Sequence, residues 1–154
     1  MTGFEDLLKL PFSTFLSLGQ LLFDRPRLKL ECGSNSFPNY NEVGNYLGFW
    51  VKVINPTKSS IYFERLEAKD LENEIFFPMV MNDTKEEILP QRNMVLVIPC
   101  GHIINSVPKE ISIVDATEKY HKLKGRQLSK AVDELIVEAK RLQDLGFEIH
   151  PSRC

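Results

Sequence analysis

The sequence of 154 residues predicts a mainly β domain with an apolar helical arm before it and an amphipathic helix after it. Between residues 27 and 123, apolar side chains recur at every second position in short runs, which is the pattern of half-buried strands. Turn residues separate these runs, and no long helical pattern lies between them. An antiparallel sandwich or barrel is therefore favoured over a parallel α/β sheet.

The first three strands are predicted from alternation alone. Residues 27–32 form the first, and residues 47–53 form the second, with Trp50 on the face opposite its buried side chains. Residues 61–64 continue the alternation after a turn at 55–58, so the second and third strands are predicted to form a hairpin. Further strands are predicted at 74–77, 94–98, 110–114 and 119–123.

Residues 126–146 have the period of a helix with one apolar face. Ser129 is predicted to cap its N-terminus, and Gly146 to end it, with Phe147 supplying the apolar contact that accompanies such an end. The pattern leaves open whether the helix packs on the domain or on a partner. Its apolar stripe consists of Leu128, Val132, Leu135, Ile136, Ala139 and Leu142.

The first 24 residues predict an apolar arm of two short helices, at about 3–10 and 11–23, with a break at Pro11. Residues 1–23 contain four phenylalanines and seven leucines, more than one end of a folded domain requires. We expect the arm to pack on the domain itself, to dock on another protein or a second copy, or to lie on a membrane. The docking residues would be Phe4, Leu7, Leu8, Phe12, Phe15, Leu16 and Leu22.

The arm lacks the features of a transmembrane helix and of a secretion signal. Its apolar stretch 12–23 is shorter than the ~20 residues that a transmembrane helix needs. Residues 1–9 carry Glu5 and Asp6 against Lys9, whereas a signal peptide begins with positive charge and a membrane-surface helix carries several lysines or arginines. A cytoplasmic chain is therefore expected.

The charge of the chain argues against nucleic acid as a partner. The net charge is −2 and the isoelectric point about 5.9, so no global basic field would hold nucleic acid. The residues Lys119, His121, Lys122, Lys124, Arg126 and Lys130 form a local basic stretch. Because only Tyr120 interleaves with these charges, the stretch is interpreted as a solvated linker, paired with the acidic residues of 64–74, rather than as a base-stacking surface.

Cysteine, histidine and carboxylate residues offer three further chemistries. Cys100 and His102, together with His150 and Cys154, are the ligand types of a zinc site, but neither pair has the spacing of a zinc knuckle. Cys100 with His102, or Cys32 with His121, would be the nucleophile and base of a small enzyme. The odd number of cysteines favours reduced thiols, with a single Cys32–Cys100 disulfide as the alternative. The acidic side chains Glu64, Glu67, Asp70, Glu72 and Glu74 favour a solvated turn over a glycosidase pair.

Four motifs point to a known kind of domain: Arg-Pro-Arg-Leu-Lys-Leu at 25–30, Val-Ile-Asn-Pro at 53–56, Leu-Pro at 89–90 and a closing hairpin at 114–120. With these motifs, the chain resembles bacterial immunoglobulin-like β-sandwich domains of uncharacterised function. The resemblance covers residues 27–123, and Glu118 stands where a glycine is usual in such domains. It implies an immunoglobulin-like antiparallel β-sandwich at about 26–123 and a non-enzymatic, accessory role.

The function expected from the sequence is a non-catalytic protein-interaction or accessory module without a cofactor, whose apolar arm docks on another protein or on a second copy. The alternatives are a small enzyme that depends on cysteine and histidine or on zinc, and a peripheral membrane adaptor.

Overall fold

The computed structural model describes residues 27–38 and 45–147, and in these ranges the chain forms strands, two helices and connecting loops. The mainly β composition and the C-terminal helix are as predicted. The strands are β1 (Lys29–Pro38), β2 (Asn45–Ile54), β3 (Ile61–Asp70), β4 (Ile75–Phe76), β5 (Glu87–Ile88), β6 (Asn93–Pro99), β7 (Pro108–Asp115) and β8 (Tyr120–Lys124), and the helices are α1 (Cys100–Asn105) and α2 (Arg126–Asp144).

The strands form two antiparallel sheets. The first has the order β1–β2–β6, with Val51 of β2 opposite both Cys32 of β1 and Leu96 of β6. The second has the order β4–β3–β7–β8, and β5 pairs with the start of β3. A register shift between Phe63 and Arg65 marks a bulge in the pairing of β3 with β7. The antiparallel arrangement is therefore confirmed.

The predicted hairpin between the second and third strands is wrong. Both edges of β2 are occupied, by β1 and β6, so residues 55–60 carry the chain across to the other sheet. Asn55 is fully buried at this crossing, and its side-chain amide donates to the carbonyl oxygens of Ser59 at 2.8 Å and Ile88 at 2.9 Å. Alternation identifies a strand but not its neighbour, because pairing depends on residues far away in the sequence.

Side chains from both sheets and from α2 form one buried cluster. Phe49 and Leu96 of the first sheet, Ile113 of the second and Leu135 of α2 are all fully buried in it. Full burial of such a side chain contributes about 1.5–3 kcal/mol, so α2 is part of the core of this domain. Ile136, predicted to lie on the apolar stripe, is 36% exposed, because it lies about 100° around the helix from Leu135.

The ends of α2 confirm one predicted cap and correct the other. The helix begins after Gly125, whose carbonyl oxygen accepts the N–H of Ser129 at 3.0 Å, so Ser129 lies in the first turn and is not the N-cap. Gly146 has a φ of 89°, and its N–H donates to the carbonyl of Gln143 at 2.9 Å. The N–H of Phe147 donates to the carbonyl of Leu142 at 3.0 Å, which completes a Schellman motif.

Candidate functional site

An extended apolar segment, residues 76–82, leaves β4 and runs along the outer edge of β6. Its side chains alternate as those of a strand do. Phe76 and Val80 pack against the core and Pro78 is buried. The side chains that alternate with them point outward and form a row that we call the apolar ridge. It consists of Phe77, Met79 and Met81, which are 65%, 37% and 49% exposed. A solvent-facing side of a strand is usually polar, so three large apolar side chains in this position require an explanation.

Hydrogen bonds hold the apolar ridge against β6. The N–H of Met81 donates to the carbonyl of Val97 at 2.8 Å. The side chain of Asn82 donates to the carbonyl of Val95 at 2.7 Å and accepts the N–H of Val97 at 2.8 Å. The edge of β6 that does not face β2 is thereby paired, which is how proteins protect sheet edges from aggregation. These bonds hold the backbone of the ridge in place, while its outward side chains stay in solvent.

A tight turn positions the start of the segment. The carboxylate of Asp70 accepts the N–H groups of Glu72 and Glu74, both at 2.9 Å, and Asn73 adopts a φ of 70°. The ammonium of Lys109, in β7, donates to the side-chain oxygen of Asn73. These contacts reverse the chain into β4, and they give Asp70 a structural task within the predicted acidic cluster.

Acidic residues flank the apolar ridge along the chain. Residues 70–87 contain six acidic residues and one basic residue, whereas the whole chain has a net charge of −2. Glu72 and Glu74 precede β4, and Asp83 and Glu86 follow Asn82; all four side chains are exposed. None of the ion pairs in the described part of the chain involves these four residues. Their charges are therefore open to a partner.

The cysteines within the described ranges are buried free thiols. Desolvation raises the pKa of Cys32 and of Cys100 to about 11 each. The Cys32 thiol donates to the carbonyl of Gln127 at the start of α2, at 3.8 Å. Because the thiolate is the nucleophilic form, a raised pKa makes these groups poor nucleophiles at neutral pH.

The histidines of the proposed Cys–His pairs have other partners. His102 accepts the N–H of Met79 at 3.2 Å, so it helps to hold the apolar ridge. Within the described residues, no hydrogen bond joins a cysteine to an imidazole, and no group of three His, Cys, Asp or Glu side chains could hold a metal ion. The other two proposed zinc ligands, His150 and Cys154, lie outside the described residues.

His121 and Asp115 form a buried pair. The N–H of Leu28 donates to Nδ1 of His121 at 3.1 Å, so the imidazole proton lies on Nε2 and is donated to the Asp115 carboxylate at 2.8 Å. The other carboxylate oxygen accepts from the Thr117 N–H at 2.9 Å and hydroxyl at 2.6 Å, and from the Lys119 N–H at 3.2 Å. Burial opposes ionisation of Asp115, but these bonds, led by those from Thr117 and His121, hold its pKa below the usual value.

Glu67 of the acidic segment and Lys122 of the basic stretch form ion pairs with Arg65 and Glu110. Arg65 donates to both carboxylate oxygens of Glu118, at 3.1 and 3.0 Å, and to Glu67 at 2.7 Å. The hydrogen bond from Arg65 lowers the pKa of Glu118, which has a left-handed φ of 60°. Lys122 of the basic stretch pairs with Glu110 at 3.1 Å and not with the acidic residues of 64–74, because β8 lies beside β7.

Sequence reasoning missed Phe77, Met79 and Met81. A signal was present, since every residue from 75 to 81 is apolar apart from the strand-breaking Pro78. Both faces of an extended segment of this kind are apolar, so one face stays exposed unless a further layer covers it. The docking residues that the sequence did predict all lie outside the described residues: Phe4, Leu7, Leu8, Phe12, Phe15, Leu16 and Leu22.

Comparison of the chain with protein-family models, with curated proteins and with solved structures finds no match. The helices of the described ranges include none that is long and apolar enough to cross a bilayer.

Proposed function

We propose that this chain is a non-catalytic protein-interaction module. The observation that carries the proposal is the apolar ridge, in which Phe77, Met79 and Met81 project outward from a backbone that Asn82 and His102 hold in place. Contiguous exposed apolar surface marks interaction sites, and methionine is favoured there because its flexible side chain adapts to a partner. A surface fixed in advance loses little conformational entropy on binding.

The frame of the module is an immunoglobulin-like β-sandwich in this proposal. Strand order supports it: β1–β2–β6 and β3–β7–β8 correspond to the A–B–E and C–F–G orders of immunoglobulin domains. The short β4 beside β3 would be an added edge strand. Such a frame keeps the ridge fixed at one margin of the first sheet.

Site-specific crosslinking tests the module. A photoreactive phenylalanine analogue replaces Met79 in the full-length chain, expressed in its source organism. Because Met79 faces solvent on the ridge, we expect an adduct with a discrete protein, identified by mass spectrometry. The matched control places the analogue at Lys58, an exposed residue of the crossing loop. Equal labelling from the two positions, or none from position 79, would refute the proposal.

The N-terminal arm is the second contact surface in this proposal, through the apolar residues between Phe4 and Leu22. Deletion of residues 2–24 should leave the domain folded and abolish self-association or partner binding, since the β-core and α2 already form a continuous core. Circular dichroism reports folding, and sedimentation reports the oligomeric state. Unfolding with an unchanged oligomeric state would show that the arm is part of the core.

A further inference from the structure

We infer that the apolar ridge of the proposed interaction module binds a basic, amphipathic segment of a partner protein, which presupposes the proposed function. The ridge supplies the apolar half of the recognition. Successive outward residues of an extended chain are about 6.6 Å apart, so Phe77 and Met81 lie about 13 Å from each other. That length matches two to three turns of an amphipathic helix lying along the ridge.

The acidic residues that flank the ridge supply the charged part of the recognition. The exposed carboxylates of Glu72 and Glu74 precede the ridge, and those of Asp83 and Glu86 follow it. A partner with lysine or arginine beside its apolar face would meet these charges at both ends of the ridge. Solvent-exposed charges of this kind accelerate association and make binding sensitive to salt, because the screening length is about 10 Å at 0.1 M salt.

The same charges argue against occupants from this chain. The N-terminal arm carries Glu5 and Asp6 against Lys9, so it has the same sign as the surroundings of the ridge. The basic stretch of a second copy is partly neutralised already, since Lys122 pairs with Glu110 at 3.1 Å and Lys130 with Glu134 at 3.8 Å. A partner protein with unpaired basic residues fits better than either.

Binding of two synthetic helical peptides to the full chain tests the inference. One peptide of about 18 residues has a leucine face and a lysine face, and the other replaces lysine by glutamate. We expect the lysine peptide to bind in fluorescence anisotropy and to weaken by about tenfold or more between about 50 and about 300 mM salt. The glutamate peptide should not bind.

Two sets of variants separate the apolar from the charged contribution. Replacement of Phe77, Met79 and Met81 by serine should weaken binding of the lysine peptide by about tenfold or more. Replacement of Glu72, Glu74, Asp83 and Glu86 by their amides should flatten the salt dependence. The matched controls are Val137→Ser, 69% exposed on α2, and Asp133→Asn, exposed on the same helix; neither should change affinity.

The outcomes separate this inference from the function on which it rests. Equal binding of the lysine peptide by the serine variant and the parent would overturn the inference, as would equal binding of the glutamate peptide. If position 79 crosslinks to a protein while the lysine peptide fails to bind, the module stands and the basic partner is wrong. A crosslink to a second copy of the chain would likewise assign the ridge to self-association. If both experiments fail, the proposed function fails with the inference.

Discussion

At the scale of single residues, the buried Asp115–His121 pair joins distant segments of the chain through hydrogen bonds. Both imidazole nitrogens of His121 are engaged, one by the N–H of Leu28 and one by Asp115. The carboxylate has further donors in Thr117 and Lys119. A buried charge is tolerated only when it is bonded in this way. The pair ties the start of β1 to β8, 93 residues away.

Asp115→Asn should destabilise the protein by about 1–3 kcal/mol. The two carboxylate oxygens of Asp115 have different donors, His121 for one and Thr117 with Lys119 for the other. In either orientation of its amide, asparagine would turn an N–H toward one of these donors. A switch of the imidazole tautomer would only move the clash to Nδ1, which would then turn an N–H toward that of Leu28. Urea denaturation at pH 7, compared with the parent chain, measures the loss. An unchanged free energy of unfolding would contradict this account of the site.

Asp115 also predicts how stability depends on pH. Its pKa is lowered in the folded state, so its ionised form stabilises the fold fully above the unfolded pKa of about 3.9. That contribution is lost as the pH falls below this value and through the folded pKa. The parent chain should therefore lose more stability than Asp115→Asn between about pH 5 and about pH 3 in urea denaturation. Parallel losses would show that other carboxylates account for the acid sensitivity.

At the scale of elements, the outer edge of β6 depends on one side chain that imitates a strand. Asn82 gives Val95 a donor and Val97 an acceptor, as a neighbouring backbone would. The N–H of Met81 continues the pairing. The segment that exposes the apolar ridge thus also closes the first sheet, so recognition and edge protection share the same residues.

Asn82→Ala should speed hydrogen exchange of the Val97 amide by up to about tenfold, because one hydrogen bond contributes about 0.5–1.5 kcal/mol. Asn82→Asp is the matched control: it keeps the acceptor for Val97 and replaces the donor to the Val95 carbonyl by an oxygen. Exchange measured by NMR should therefore stay near the parent rate in the aspartate variant. Equal acceleration in both variants would mean that Asn82 does not protect the amide.

Helices and strands were predictable where they depend on residues close together in the sequence. The alternation of β1 and β2 and the glycine end of α2 depend on neighbouring residues, and both are observed. The partner of β2 and the N-cap of α2 were mispredicted, because the first depends on distant strands and the second on the conformation of Gly125, with φ 83° and ψ −154°. Few residues other than glycine adopt such a conformation, and a serine four positions later gave a misleading signal.

At the scale of the whole molecule, the candidate site was the least predictable feature. Whether the outward face of residues 76–81 meets solvent depends on which elements pack beside it, and no local pattern contains that information. The burial of Cys32 and Cys100 and the hydrogen bond from Leu28 to His121 depend in the same way on contacts far apart in the chain. Sequence reasoning identified the reactive residue types but not their surroundings.

The shared core predicts that a cavity in α2 weakens a distant sheet. Leu135→Ala removes a fully buried side chain and should cost about 2–5 kcal/mol. Trp50 is the single tryptophan, and it lies on β2. Its indole packs on Gly33 of β1 so closely that a Cβ added to Gly33 would stand 2.5 Å from the ring. The emission of Trp50 therefore reports on the first sheet. Because α2 and this sheet share one core, the Leu135→Ala variant should unfold at a lower urea concentration when Trp50 emission is followed. The Val137→Ala variant changes an exposed position on the same helix, so its midpoint should stay that of the parent. A Trp50 midpoint insensitive to Leu135 would show that α2 unfolds separately from the sheets.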